Sequence, residues 1–218
     1  MTTCPTRVTL PQRDYAGYIF DLDGTLVDSM PTHYRAWRQA LREHGAPADV
    51  FRWAEFSAHG GMAAVDIVKE LNATYSLHME PLTVADRKRA IYAHLLSTEQ
   101  LPIIPETVNL VRSLHRRGIP YAIGTGSAMP GALATLQSAA IAPLFPLIIT
   151  PEQVAHGKPA PDIFLLAAER MGVPATDCVV FEDAEPGLQA ARAAGMHSVR
   201  VGPSEVRGTK YEVRSSEA

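Results

Sequence analysis

The amino-acid sequence predicts an α/β protein with three layers: a mainly parallel, Rossmann-like sheet between helices, and a small all-helical segment inserted after the first strand. Short apolar runs bounded by turn residues recur at 18–20 (YIF), 121–123 (YAI), 147–149 (LII), 178–181 (CVVF) and 198–201 (SVRV), the signature of short buried strands. Helical patterns lie between most of these runs, so the strands are joined by crossovers and the sheet is expected to be covered on both faces. Residues 29–103 break the alternation, because they carry helical periodicity and no buried strand run.

Taken in order, residues 1–14 form a polar tail, expected to be poorly ordered. Residues 15–28 and 104–202 supply the sheet domain. Between them, 29–103 is expected to form a helical cap, with helices over Pro31–Gly45, Gly61–Leu71 and Thr83–Thr98. Its hinges fall at 28–30 and 102–105, where Pro102 and Pro105 stiffen the return link. Beyond it, a helix from Glu106 to Arg117 stops at Gly118, another from Ile163 to Met171 stops at Gly172, and Gly195 closes an alanine-rich third. From Pro203 to Ala218 the chain is again a polar tail.

The 218 residues are 46% hydrophobic, 20% charged and 7% aromatic, the composition of an ordinary globular protein able to bury about 70% of its unfolded surface. Twenty Lys and Arg against 23 Asp and Glu give a net charge of -3, too balanced for a nucleic-acid or anionic-membrane footprint. A small molecule is the expected partner, and a monomer the expected state. Cys4 and Cys178 offer no disulfide framework. No apolar run approaches the roughly 20 residues of a membrane span, and the N-terminal residues lack a signal-like apolar stretch, so a cytoplasmic location is expected.

In open α/β sheets, ligands bind outside the carboxyl ends of the strands. That rule brings Asp21-Leu22-Asp23-Gly24-Thr25, Gly124-Thr125-Gly126-Ser127, Gly157-Lys158-Pro159 and Glu182-Asp183 to one crevice. Carboxylates meeting around a single lysine repel unless a cation joins them, and an all-oxygen donor set favours Mg²⁺. A Mg²⁺ site with a lysine and a hydroxyl suits a phosphoryl group, and a carboxylate is itself a competent nucleophile at phosphorus. Singly, each motif has a plainer reading: DLDG as a turn, Lys158 as a solvated lysine, Thr125 as a helix N-cap. Turn propensity does not, however, place them at successive strand ends. GTGSAMPG lacks the GxGxxG spacing, no Walker lysine motif is present and the eight histidines form no HExxH, which sets aside dinucleotide and zinc chemistry.

FDLDGTLVDS at 20–29, GTGS at 124–127, GKPAPD at 157–162 and VVFEDAEPGLQAARAAGM at 179–196 resemble, in order and spacing, the haloacid dehalogenase superfamily of phosphotransferases. The early helical insertion is similar to the cap of the branch that holds β-phosphoglucomutase and small sugar-phosphate phosphatases, those acting on fructose 1-phosphate among them. The resemblance implies that Asp21 is the nucleophile and Asp23 the general acid/base, protonating the departing alcohol and then activating water. It implies that Thr125, Gly126 and Lys158 hold phosphoryl oxygens. Mg²⁺ would lie on the Asp21 and Asp183 carboxylates and the Asp23 backbone carbonyl, with Glu182 behind the ion or on a bound water.

In this branch the cap closes over the site and supplies specificity. His33 and Trp37 lie one helical turn apart, and the run His33-Tyr34-Arg35-Ala36-Trp37 after Asp28-Ser29 resembles the first cap helix; the plainer reading is a surface histidine beside a core tryptophan. Lys88, four residues before Tyr92, matches a cap lysine of the mutase and is otherwise a solvated lysine. The mutase's second cap helix begins with a glycine, a small residue and an arginine that contacts the phosphate not being transferred. Here the matching stretch is His59-Gly60-Gly61-Met62-Ala63, without the arginine, leaving Lys88 or Arg52 as substitutes. Ala184 stands where many relatives carry serine. The expected activity is therefore hydrolysis of small sugar phosphates, with mutase action as the alternative and a non-catalytic binding protein on the same fold as a third reading.

Overall fold

The computed structural model describes Val8 and residues 13–202. Its sheet has five parallel strands, β1 (Gly17–Phe20), β2 (Tyr121–Gly124), β3 (Ile148–Ile149), β4 (Cys178–Glu182) and β5 (His197–Arg200), in the order β3-β2-β1-β4-β5. Every expected strand is present. β1 and β4 pair in register from Gly17 opposite Cys178 to Phe20 opposite Phe181 and are buried throughout, as continuous apolar runs in the middle of a parallel sheet should be. At the β5 edge the expectation of two covered faces fails: His197, Ser198 and Arg200 are exposed, because an edge strand has a neighbour on one side only.

Side-chain alternation divides the apolar residues between two layers. Tyr18 and Phe20 of β1 point into the same buried cluster as Val108, Val111 and Leu114 of α5 (Pro105–Arg117) and Ala132 and Leu136 of α6 (Met129–Ser138). Ile19 points to the opposite face, against Phe164 and Ala167 of α7 (Asp162–Met171) and Ala190 and Ala191 of α8 (Glu185–Ala193). α5 and α7 end as expected on glycines in the left-handed region, Gly118 at φ +64 and Gly172 at φ +68.

Between β1 and α5 run four helices: α1 (Met30–Glu43), α2 (Trp53–Ala58), α3 (Ala64–Tyr75) and α4 (Pro81–Leu96). They close on a buried cluster of their own that includes Trp37, Phe51, Phe56, Leu71 and Ile91. The six-residue α2 was not expected, and α3 starts three residues late because Gly61-Met62-Ala63 remain a loop. α4 starts two residues early, on a proline at its first position, which leaves no amide unsatisfied there. The two links to this segment lie side by side: the Ile104 amide donates to the Leu26 carbonyl and the Asp28 amide to the Pro102 carbonyl, both at 2.8 Å.

The expected tail at 203–218, and Cys4 with most of 1–14, lie outside the described residues. Val8 departs from the expectation of a loose polar tail, being buried in the cluster of Tyr18 and Phe20. Among the described residues no helix is long and apolar enough to cross a membrane.

Candidate active site

At the carboxyl end of the sheet Asp21 follows β1, Thr125 follows β2, Glu182 ends β4 and Asp183 follows it. Lys158, from the loop before α7, donates to Asp21 Oδ1 at 2.6 Å and to Glu182 Oε2 at 2.7 Å. It is 4% exposed, so it is not the solvated lysine of the plainer reading. Burial alone would favour the neutral amine, yet the Asp21 and Glu182 carboxylates more than reverse this and hold the ammonium charged. Two glycines make room for the acids. A Cβ on Gly187 would lie 2.1 Å from the Glu182 carboxyl carbon, so only glycine lets α8 come this close. Gly24, at φ +90, passes under Asp183 where a Cβ would meet Oδ2 at 2.2 Å.

Asp21, Glu182 and Asp183 each offer an oxygen, and these atoms all lie within 4.8 Å of one another. Three carboxylates against one ammonium leave two surplus negative charges. Burial, then repulsion from Glu182, pushes the Asp21 carboxyl up to about 8 despite Lys158. The same two causes raise Asp183 well above the carboxylate range. Among the described residues no side chain donates a hydrogen bond to the Asp183 carboxylate. An oxygen-only set with this surplus fits a hard divalent cation, which would return all three groups to their charged forms.

Asp23 faces away from that cluster. Its Oδ1 accepts from Ser29 Oγ at 2.5 Å and lies 3.0 Å from His33 Nε2, and its Oδ2 accepts from Ser127 Oγ at 2.7 Å. Burial favours the neutral acid here, but His33 first, with Ser29 and Ser127, holds the carboxyl well below its usual range. Lys88 Nζ is 2.8 Å from His33 Nδ1. An ammonium can only donate, so Nδ1 accepts and the ring proton sits on Nε2, aimed at Asp23. Burial and the neighbouring ammonium both lower the pKa of His33, which keeps the imidazole neutral and leaves the positive charge of this chain on Lys88. Lys88 itself is pushed down to about 8, chiefly by burial.

Ser29 illustrates the local cost of this arrangement: it occupies the N-cap of α1 but makes no cap hydrogen bond, its hydroxyl being committed to Asp23. Thr125 is not an N-cap, since α6 begins at Met129 behind Ala128. Its Oγ1 accepts the Ser127 amide at 3.0 Å, leaving its own proton available.

A cavity of about 540 Å³ opens between these strand ends and the helical segment, with Asp21, Asp23, Thr125 and Gly126 on one wall and His33, Trp37 and Lys88 on the other. Lys158, Glu182 and Asp183 lie behind Asp21 and do not line it. All three expected residues of the helical side therefore reach the site. Trp37 nevertheless spends most of its surface on the helical core, edge-on to Phe51 at 5.4 Å. The loop at 59–63 descends onto the strand ends, where a Cβ on Gly126 would lie 2.2 Å from the Gly61 carbonyl oxygen and one on Gly60 would lie 2.7 Å from the Ala184 methyl. Arg52 is exposed and does not line the cavity, so it is no substitute for the missing arginine; Arg89, not singled out from sequence, does line it, with its guanidinium on Asp86. Ser29, Ser127 and Tyr92 were also missed as site residues, although the two serines stand inside the DS and GTGS runs.

The family model for haloacid dehalogenase-like hydrolases matches residues 15–195. The fructose-1-phosphate phosphatase YqaB of Escherichia coli (strain K12) is 43% identical over 189 residues, 86% of this chain and 96% of that protein. Hexitol phosphatase A of the same organism is 37% identical over 85% of this chain and 82% of its own length. Among solved structures, a β-phosphoglucomutase from Clostridium difficile superposes with a TM-score of 0.74 at 25% identity, covering 84% of this chain and 83% of that one.

Proposed function

The chain belongs to the haloacid dehalogenase-like hydrolases, and on that premise we propose that it is a Mg²⁺-dependent phosphatase of small sugar phosphates, working through a phosphorylated Asp21. The observation that carries the proposal is the division of labour between two carboxyl groups: Asp21 stands among Lys158, Glu182 and Asp183, while Asp23 is turned away onto Ser29, His33 and Ser127. One group is set for attack beside a cation site, and the other is free for proton transfer.

In the first step an Asp21 oxygen attacks phosphorus and the bond from phosphorus to the sugar oxygen breaks. Asp23 gives that oxygen a proton. The resting Asp23 is ionised, so the proton it gives reaches it first from His33 Nε2, as Lys88 Nζ gives one to His33 Nδ1. In the second step Asp23 takes a proton from water as the water oxygen attacks phosphorus, releasing phosphate and restoring Asp21. The free proton of Thr125 and the Gly126 amide would meet the phosphoryl oxygens from the cavity wall, and Lys158, paired with Asp21 behind that wall, would add its positive charge. Bound beside Asp21, Mg²⁺ would supply positive charge that lets an anionic nucleophile approach an anionic ester. The Asp21 and Asp183 carboxylates and the Asp23 backbone carbonyl would hold it, with Glu182 behind.

We assign residues 29–103 as the cap and 15–28 with 104–202 as the catalytic core. Since every group named comes from one chain, a monomer suffices. The deciding experiment measures phosphate release from a panel of sugar monophosphates with Mg²⁺, beside conversion of β-glucose 1-phosphate to glucose 6-phosphate primed with a trace of bisphosphate. Phosphate release should dominate, because the arginine fork that a mutase uses for the distal phosphate is absent from His59–Ala63. Isomerisation faster than release would make the chain a mutase.

A further inference from the structure

We propose that Tyr92 is a positioning residue, tying the proton-carrying pair His33–Asp23 to helix α6 of the sheet domain. The proposal rests on the reading of Asp23 as the group that protonates the departing sugar oxygen.

Three contacts carry it. The Tyr92 ring lies face to face with the His33 imidazole, centroids 3.8 Å apart and planes 11° from parallel. Its hydroxyl is 2.8 Å from Thr135 Oγ1 on α6, in a fully buried hydrogen bond joining residues 43 apart in sequence. Its ring centroid is 5.2 Å from Lys88 Nζ, one helical turn earlier on α4.

The geometry gives each contact a separate task. Asp23 and Lys88 fix the imidazole within its plane, one at each nitrogen. Neither prevents the ring from tilting out of that plane, and the stacked phenol does. A stack held only by α4 would move with α4. Thr135 belongs to α6, which packs under the sheet, so the hydroxyl pair fixes the imidazole relative to the same body that holds Asp23.

A purely structural origin would not call for these groups. Tyr92 is 3% exposed and Thr135 is 0% exposed, and a Phe–Val pair would fill that space without two buried hydroxyls that need partners. A polar pair in an apolar contact fixes one relative position, whereas apolar packing tolerates several. A tilt of the imidazole by a few tenths of an ångström at Nε2 would lengthen its bond to Asp23 while leaving substrate contacts in place, so the expected penalty falls on proton delivery.

The test uses two substrates that differ in their need for that proton. A hexose monophosphate releases an alkoxide that must be protonated; para-nitrophenyl phosphate releases a phenolate that need not be. Because kcat/KM reports the steps through release of the alcohol, it isolates the first transfer. Tyr92→Phe should lower kcat/KM for the hexose ester about tenfold, mainly through kcat, and that for the aryl ester less than about threefold, in keeping with loss of part of a general-acid contribution. Thr135→Val should reproduce this, and the double variant should be no worse than either single one. Asp23→Asn is run alongside and should lose the hexose ester by at least about 100-fold. Circular dichroism confirms that each variant is folded. Equal losses on both esters, a change in KM alone, or additive effects in the double variant would overturn the role of Tyr92. An Asp23→Asn protein that still cleaves the hexose ester would instead overturn the acid assignment, whatever Tyr92 does.

Discussion

The two walls of the cavity are built in opposite ways. On the sheet side, ionic groups crowd together just behind the lining: Lys158 is shared between Asp21 and Glu182, Asp183 lies close by, and glycines at 24 and 187 let the backbone come within contact of the acids. On the helical side, ionic groups are few and aromatic surface dominates, with His33 stacked on Tyr92, and Lys88 over the rings of Tyr92 and Trp37. The sheet side is specified by strand ends, which have little freedom; the helical side is specified by packing among helices. On the proposed reading, attack on phosphorus belongs to the first wall, and support of proton delivery together with choice of ester to the second.

The largest expected effect strikes the sheet wall. Asp21→Asn removes the proposed nucleophile, since an amide nitrogen or oxygen cannot take its place at phosphorus, and should cut turnover by ~10³-fold or more on every ester. Retained turnover in purified protein would break the comparison at its root. Next comes the cation. Chelation should abolish activity and Mg²⁺ restore it; Mg²⁺ should also raise the melting temperature, by the equivalent of about 2.7 kcal/mol at a hundredfold excess over Kd. Asp183→Asn should shrink that thermal shift and raise the Mg²⁺ concentration needed for half-maximal rate. A thermal shift unchanged by this variant would place the cation elsewhere.

Smaller and more selective effects belong to the helical wall. His33→Ala and Lys88→Ala should lower kcat/KM for sugar phosphates about tenfold more than for para-nitrophenyl phosphate, which asks less of proton delivery and of the cap. Equal losses on both would merge the two walls into one functional unit. Arg52→Ala should change neither substrate by as much as about twofold, because the side chain is exposed and off the cavity. A marked loss with bisphosphates would restore Arg52 as the missing arginine's substitute.

What the sequence disclosed depended on whether the information was local. Strands β1 to β4 were legible because each is a short apolar run bounded by turn residues, and the strand-end rule then delivered Asp21, Thr125, Glu182 and Asp183, with Lys158 across a short connection after β3, without any knowledge of packing. His33 and Trp37 were legible as neighbours through helical spacing. α6 was not singled out, because its buried positions are Ala132, Thr135 and Leu136, a stripe too weak in apolar contrast to register. α2 escaped because six residues are too few for periodicity. Ser29, Ser127 and Tyr92 were hidden for a different reason: their roles exist only through partners 6, 104 and 43 residues away. Arg52 and Arg89 could not be told apart in sequence, since which of two arginines faces a cavity depends on how the helices around it dock.

The paired links at Leu26–Asp28 and Pro102–Ile104 have a consequence for how such a protein tolerates change. Val27 and Ile103 meet as an antiparallel bridge, so the chain leaves and rejoins the sheet domain at points about 5 Å apart, one strand spacing. Whatever lies beyond this neck meets the same boundary condition at both ends, regardless of its length. Enlarging it adds closure entropy only logarithmically, about 0.6 kcal/mol for each doubling. The neck thus acts as a standard fitting: helical segments of different size or lining can be exchanged across it while the strand register, and with it the carboxylates at the strand ends, stays as it is.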